Sequence, residues 1–115
     1  NPFDPAERQG LSEAAEAAGA AMVLVLPAGG DAAEAADTAL AFAEAGTASM
    51  IPTRLDAARR LGGVVGAAHA SGISLLAAGV SRHIGGGLMA VNPVSLARLL
   101  SACGPFQAAD LLAAD

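Results

Sequence analysis

Lysine is absent from this 115-residue chain, so six arginines carry all of its fixed positive charge against eleven carboxylates. The formal net charge is −5. An acidic chain with scattered arginine offers no electrostatic footprint for nucleic acid or for an anionic membrane. Tryptophan and tyrosine are missing too, and three phenylalanines are the only aromatics. The core must therefore come from Leu, Val, Ile and the 31 alanines, with close approaches at glycine. A single cysteine, Cys103, excludes an internal disulfide and any zinc site built on several cysteines. Apolar runs such as Ala21–Ala28 and Ile73–Val80 fall far short of the ~20 residues that span a bilayer. No basic segment precedes an apolar one in the manner of a signal peptide. A cytoplasmic location is the expectation. Neither His69 nor His83 has a carboxylate or thiol partner at a spacing that suits a metal or a catalytic triad. No metal site and no catalytic histidine are expected.

What is present is punctuation. Asp4-Pro5-Ala6-Glu7 reads as a helix start, with Asp4 as N-cap, Pro5 at the first helical position and Glu7 completing a capping box. That helix should run to about Ala18 and end at Gly19. The run Ala21–Pro27 is continuously apolar and rich in β-branched residues, which predicts a strand buried on both faces. Asp31-Ala32-Ala33-Glu34 opens a second helix with Ala36, Leu40 and Ala43 facing inward, ended by Gly46. A short strand over Ala48–Ile51 follows, then a helix from about Ala57 to Ala70 closed by Gly72. A strand over Ile73–Ala78 leads into a Gly-rich loop, Gly79–Val91, and Asn92 caps a last helix over Pro93–Ala102. Residues 103–115 form either a short helix or a tail.

Helices alternating with strands imply parallel pairing through right-handed crossovers, in one α/β domain with helices on both faces. Three strands make a thin sheet. The first, being so apolar, belongs in the middle, yet this chain gives it only one neighbour and leaves its other edge bare. Bare apolar edges are a liability. The expectation is thus the second half of a larger sheet, consistent with a chain that begins at Asn1 rather than Met.

The stretch with chemistry in it is Thr53-Arg54-Leu55-Asp56, directly after the second strand. In open α/β sheets, ligands bind beyond the carboxyl ends of the strands. An ionised Asp offers two acceptor oxygens to the adjacent ring N–H and exocyclic amine of guanine. Adenine presents an acceptor where guanine has its ring donor. A site built to hydrogen-bond a group rejects the analogue lacking it by roughly 10⁴–10⁵. Asp56 would read the base, Thr53 would brace the loop through its hydroxyl, and Arg54 would lay its stem and guanidinium over the ring. The competing reading is a turn in which Asp56 caps the next helix.

With these pieces in order, the chain resembles the G domain of the signal-recognition-particle family of GTPases. The matching segments are Val23–Ala28, Thr53–Asp56, Leu61-Gly62-Gly63, the last strand, and Asn92-Pro93. The spacing from Leu55 to Gly63 is most similar to the flagellar-placement (FlhF-type) branch. The resemblance implies half of a P-loop GTPase fold and a parent protein that hydrolyses GTP with Mg²⁺ on dimerisation. It further implies Thr53, Arg54 and Asp56 at the guanine base, with Gly79, Val80 and Ser81 closing over it. A homodimer or a partner GTPase would border Arg59, Arg60, Gly62 and Gly63. The departures are equally definite. The phosphate-binding loop G-x-x-x-x-G-K-[ST], the Mg²⁺-holding residue and the Asp-Thr-x-Gly switch do not occur here, so this chain alone should not hydrolyse GTP. Arg54 stands where the family usually has Lys. After the third strand, Gly79-Val80-Ser81-Arg82 lacks the acidic residue of the flagellar branch. Gly85-Gly86-Gly87 reads as a closing loop rather than a phosphate cradle, and Arg59 and Arg60, opening a helix against its dipole, read as solvated surface charge ahead of phosphate or partner contacts. The runner-up is a stand-alone α/β interaction module without nucleotide chemistry.

Overall fold

Helix starts are where the sequence signals translate most directly. In a computed structural model, which describes residues 1–101, the Asp4 carboxylate accepts from the amides of Ala6 and Glu7 and opens helix α1, Pro5–Ala18. Gly19 closes it in the left-handed conformation. Glu7 does not return to the cap; its carboxylate pairs with the terminal amine of Asn1, so the capping box is half formed. Asp31 accepts from Glu34 N at 2.9 Å and opens α2, Ala32–Glu44. Asn92 and Ser95 cap reciprocally at the start of α4, Pro93–Ser101, with Ser95 N to Asn92 Oδ1 at 2.8 Å and Asn92 N to Ser95 Oγ at 3.1 Å. Each of these side chains satisfies an amide that the helix itself leaves without a partner.

Strands β1, Val23–Pro27, and β2, Ser49–Thr53, pair in parallel from Val23 opposite Ser49 to Pro27 opposite Thr53. β3, Ser74–Leu75, joins the other side of β2 in parallel, giving the order β1-β2-β3. The α/β class and the parallel sheet thus stand as expected, and β1 does have one neighbour and one bare edge. Burial on both its faces does not hold. Leu24 and Leu26 are buried while Val25 is 59% exposed, so β1 alternates like a half-covered strand. The cause lies in the helices. α2 and α3, Gly62–Ser71, pack together on one face, where Leu24, Leu26, Met50, Ala39, Val64, Ala67 and Ile73 form the main core. Two successive right-handed crossovers toward the same side of a sheet put both helices on the same face. α4 packs beside them against a smaller cluster, and α1 buries none of its residues. The described residues therefore form two layers, not helices on both faces. In α2 the buried stripe meets expectation in part: Ala43 packs on the core with Ala35, Ala39 and Phe42, whereas Leu40 is exposed.

Three boundaries move. β2 runs on through Pro52 and Thr53. α3 starts at Gly62, so Ala57–Arg60 form a turn and loop ahead of the helix rather than its first turn. The third predicted strand divides: after β3, Leu76 N still donates to Met50 O at 2.9 Å, and the chain then swings into β4, Ala77–Gly79. β4 pairs antiparallel with β5, Leu88–Ala90, across a 3₁₀ turn at Ile84–Gly86. The Gly-rich stretch is thus a hairpin. Gly86 lies so close to Ser81 that an added Cβ would sit 2.5 Å from its Cβ. Cys103 and the expected short helix or tail over residues 103–115 lie outside the described residues.

Candidate functional site

β2 ends at Thr53, just after the buried Pro52, and the next residues diverge in direction: Leu55 goes into the core at 3% exposure, and Asp56 and Arg54 go out. Among the described residues, Arg54 is the one non-glycine residue with positive φ, at 60°. The left-handed region is unfavourable for a residue with a side chain. Its carbonyl accepts from both Ala57 N and Ala58 N at 3.1 Å, and these two bonds fix the turn. The Thr-Arg-Leu-Asp loop is therefore a definite, slightly strained turn at the carboxyl end of a parallel strand.

Two of the expected groups do come together. Leu55 N donates to Gly79 O at 3.2 Å, and an added Cβ on Gly79 would lie 3.4 Å from Thr53. Gly79 is thus held against the start of the loop. Val80 is buried in the smaller core, leaving only its backbone for a ligand, and Ser81 is exposed with its Oγ accepting from His83 N at 3.1 Å. Thr53 is half-buried, and its hydroxyl makes no hydrogen bond among the described residues. The bracing expected of that hydroxyl comes from the backbone, through Thr53 O and Ala28 N at 2.8 Å.

Asp56 caps nothing. The residue at the N-cap of α3 is Leu61, with no side-chain cap bond, and Asp56 has neither a hydrogen bond nor an ion pair among the described residues. Its carboxylate is free and solvent-facing. No group of three or more His, Cys, Asp or Glu that would hold a metal occurs among the described residues. Among them, too, no helix is long and apolar enough to cross a membrane.

The residues expected at a partner interface lie together on a second feature. Arg59, Arg60, Gly62 and Gly63, together with Arg54, line a cleft of about 950 Å³ at the carboxyl ends of β1 and β2. Its opposite wall is Pro27–Ala32, the loop that joins β1 to α2. That wall is one the sequence reading passed over, although Pro27-Ala28-Gly29-Gly30 marks a strand end as plainly as Thr53–Asp56 does. Neither Asp56 nor Gly79–Ser81 lines this cleft. The structure thus splits the candidate residues into a loop with a free carboxylate and a cleft with three guanidinium groups. No protein-family model matches the chain, and no curated protein matches it.

Proposed function

We propose that this chain is the guanine-binding portion of a GTPase of the signal-recognition-particle type, most like the flagellar-placement branch. The observation that supports this most is Asp56: a carboxylate beyond the carboxyl end of a parallel strand, exposed, and not used as a helix cap. Thr53 and Arg54 shape the turn that presents it, and the backbone of Gly79, Val80 and Ser81 borders the base. GTP or GDP is the ligand, and the Mg²⁺ of the parent protein is held by residues outside this chain. A homodimer, or a partner GTPase, would approach along Arg59, Arg60, Gly62 and Gly63. Affinity in this chain alone is weak, because the phosphate-handling loop of such enzymes does not occur in it.

The test is a titration of GDP and ADP into the chain and into its Asp56→Ala variant, followed by amide chemical shifts, which register weak binding. GDP should shift residues 55–56 and 79–81 in the native chain, ADP should not shift them, and the variant should lose the difference. Equal responses to the two nucleotides, or a preference that survives in Asp56→Ala, would sink the reading. A second reading has one observation in its favour. Val25 and Leu76 are 59% and 54% exposed on or beside the uncovered sheet face, as an α/β interaction module without nucleotide chemistry would have them.

A further inference from the structure

The cleft between the β1–α2 and β2–α3 loops lies apart from Asp56, and its charged residues are mostly of one sign. The chain is acidic overall, but half of its arginines, Arg54, Arg59 and Arg60, line this one cavity. All three are exposed, and none has an ion pair or hydrogen bond from its side chain among the described residues. Three positively charged residues line this cavity against a single carboxylate. The only carboxylate on the wall is Asp31, and its Oδ1 is already engaged at 2.9 Å by the amide of Glu34. Guanidinium groups match phosphate oxygens in a bidentate fork, and such charge-assisted bonds are roughly twice as strong as neutral ones.

The walls are built for close approach to backbone. Gly29 and Gly30 stand on one side, and Gly62 and Gly63 on the other. At two of these glycines the loops approach each other closely. An added Cβ on Gly29 would lie 3.3 Å from the Cβ of Ala58, and one on Gly63 would lie 3.4 Å from the Cα of Ala32. The cleft is therefore framed by packing rather than left as a gap between independent loops.

The geometry points to this cleft as a binding site for vicinal phosphates, as in pyrophosphate or the diphosphate of a nucleotide. Three guanidinium groups in one cavity exceed what a single carboxylate or monophosphate needs, and a volume of about 950 Å³ admits a diphosphate with a substituent. The site shares Arg54 with the Thr53–Asp56 loop but does not include Asp56, and it stands whether or not Asp56 reads guanine.

Inorganic pyrophosphate and ADP, titrated separately into the full chain with amide shifts as readout, test it. Saturable shifts at residues 29–32 and 57–63 are expected with pyrophosphate. Arg59→Gln combined with Arg60→Gln should weaken its binding by about tenfold or more. Both side chains are exposed, so the fold should survive, and far-UV circular dichroism checks that. Arg82→Gln, outside the cleft, should bind as the native chain does. Absence of saturable shifts overturns the proposal. So does an equal loss in Arg82→Gln, which would mean diffuse attraction. ADP shifting the same residues supports a nucleotide diphosphate as the source, and ADP failing where pyrophosphate binds supports the free anion. Asp56→Ala should leave pyrophosphate binding unchanged, which separates this outcome from that of the guanine reading.

Discussion

Arg54 adopts a backbone conformation that its own side chain opposes. A left-handed φ costs a residue with a Cβ about 1–2 kcal/mol relative to the right-handed form. Glycine does not pay that cost. Arg54→Gly should therefore raise stability by up to about 1 kcal/mol, read as a higher denaturant midpoint at unchanged slope. It should at the same time weaken pyrophosphate binding, because one of the three guanidinium groups is lost. A drop in stability instead would show that the Arg54 side chain makes packing contacts worth more than the strain. The two aspartates at loop–helix junctions give a sharper contrast. Asp31 caps α2, so Asp31→Ala should cost about 0.5–2 kcal/mol. Asp56 caps nothing, so Asp56→Ala should stay within about 0.5 kcal/mol of the native chain. Chemical denaturation of the two variants side by side measures this directly. A comparable loss in both would assign Asp56 the capping role that α3 withholds from it.

At the scale of elements, what could be read in advance was whatever local chemistry determines. Asp4, Asp31 and Asn92 announce helix starts because an N-cap is a short-range bond between a side chain and an amide two or three residues on. The parallel strands could be read because helices alternate with strands. Three things could not be read, each for a tertiary reason. Val23–Pro27 is apolar at every position, so nothing in it tells which face a helix will cover. Ala77-Ala78-Gly79 consists of small residues with no period, so the change from the parallel sheet to a hairpin left no mark. Ala57–Arg60 contains good helix formers, yet the bonds that Ala57 N and Ala58 N donate to the Arg54 carbonyl hold a turn there. The candidate loop was legible as residues, but the cleft was not, because its two walls are 22 or more positions apart and meet only through the β1–β2 pairing. The half-covered sheet also predicts an asymmetry. Val25 is exposed, so Val25→Thr should change stability by no more than about 0.5 kcal/mol. Met50, fully buried on the opposite face, should cost about 2–5 kcal/mol as Met50→Ala. Thermal or denaturant unfolding decides it, and a large loss at Val25 would mean that its face is covered in solution.

Across the whole molecule, stability is distributed unevenly. The main core joins β1, β2, α2 and α3 through seven buried side chains, whereas the second holds four, from the Leu55 loop, the hairpin strand β4 with the residue after it, and α4. α1 contributes to neither, and it has no buried residue in fourteen. Its ties are the hydrogen bond from Arg8 Nη1 to the Pro2 carbonyl at 3.0 Å, which is local, and an ion pair from Arg8 to Glu44 at 3.9 Å. Glu44 is largely exposed in that pair, so the contribution is small. A helix of this length is marginal in water on its own, and its good cap does not replace a packed face. Amide exchange reports the free energy of local opening, which runs from near zero at weakly packed elements up to the global value in the core. The expected order is therefore α1 first, then β4, β5 and α4, and last β2 with the facing turns of α2 and α3. The hairpin and α4 should open together, since Ala78, Val80 and Leu99 share one cluster. Hydrogen–deuterium exchange with residue resolution tests the sequence of openings. If α1 were as protected as β2, it would have to bury a face that these contacts do not provide, and the two-layer account of the molecule would fail. If α4 exchanged with the main core, the two clusters would be one cooperative unit, and a ligand in the cleft would then stabilise the hairpin as much as the loops that hold it.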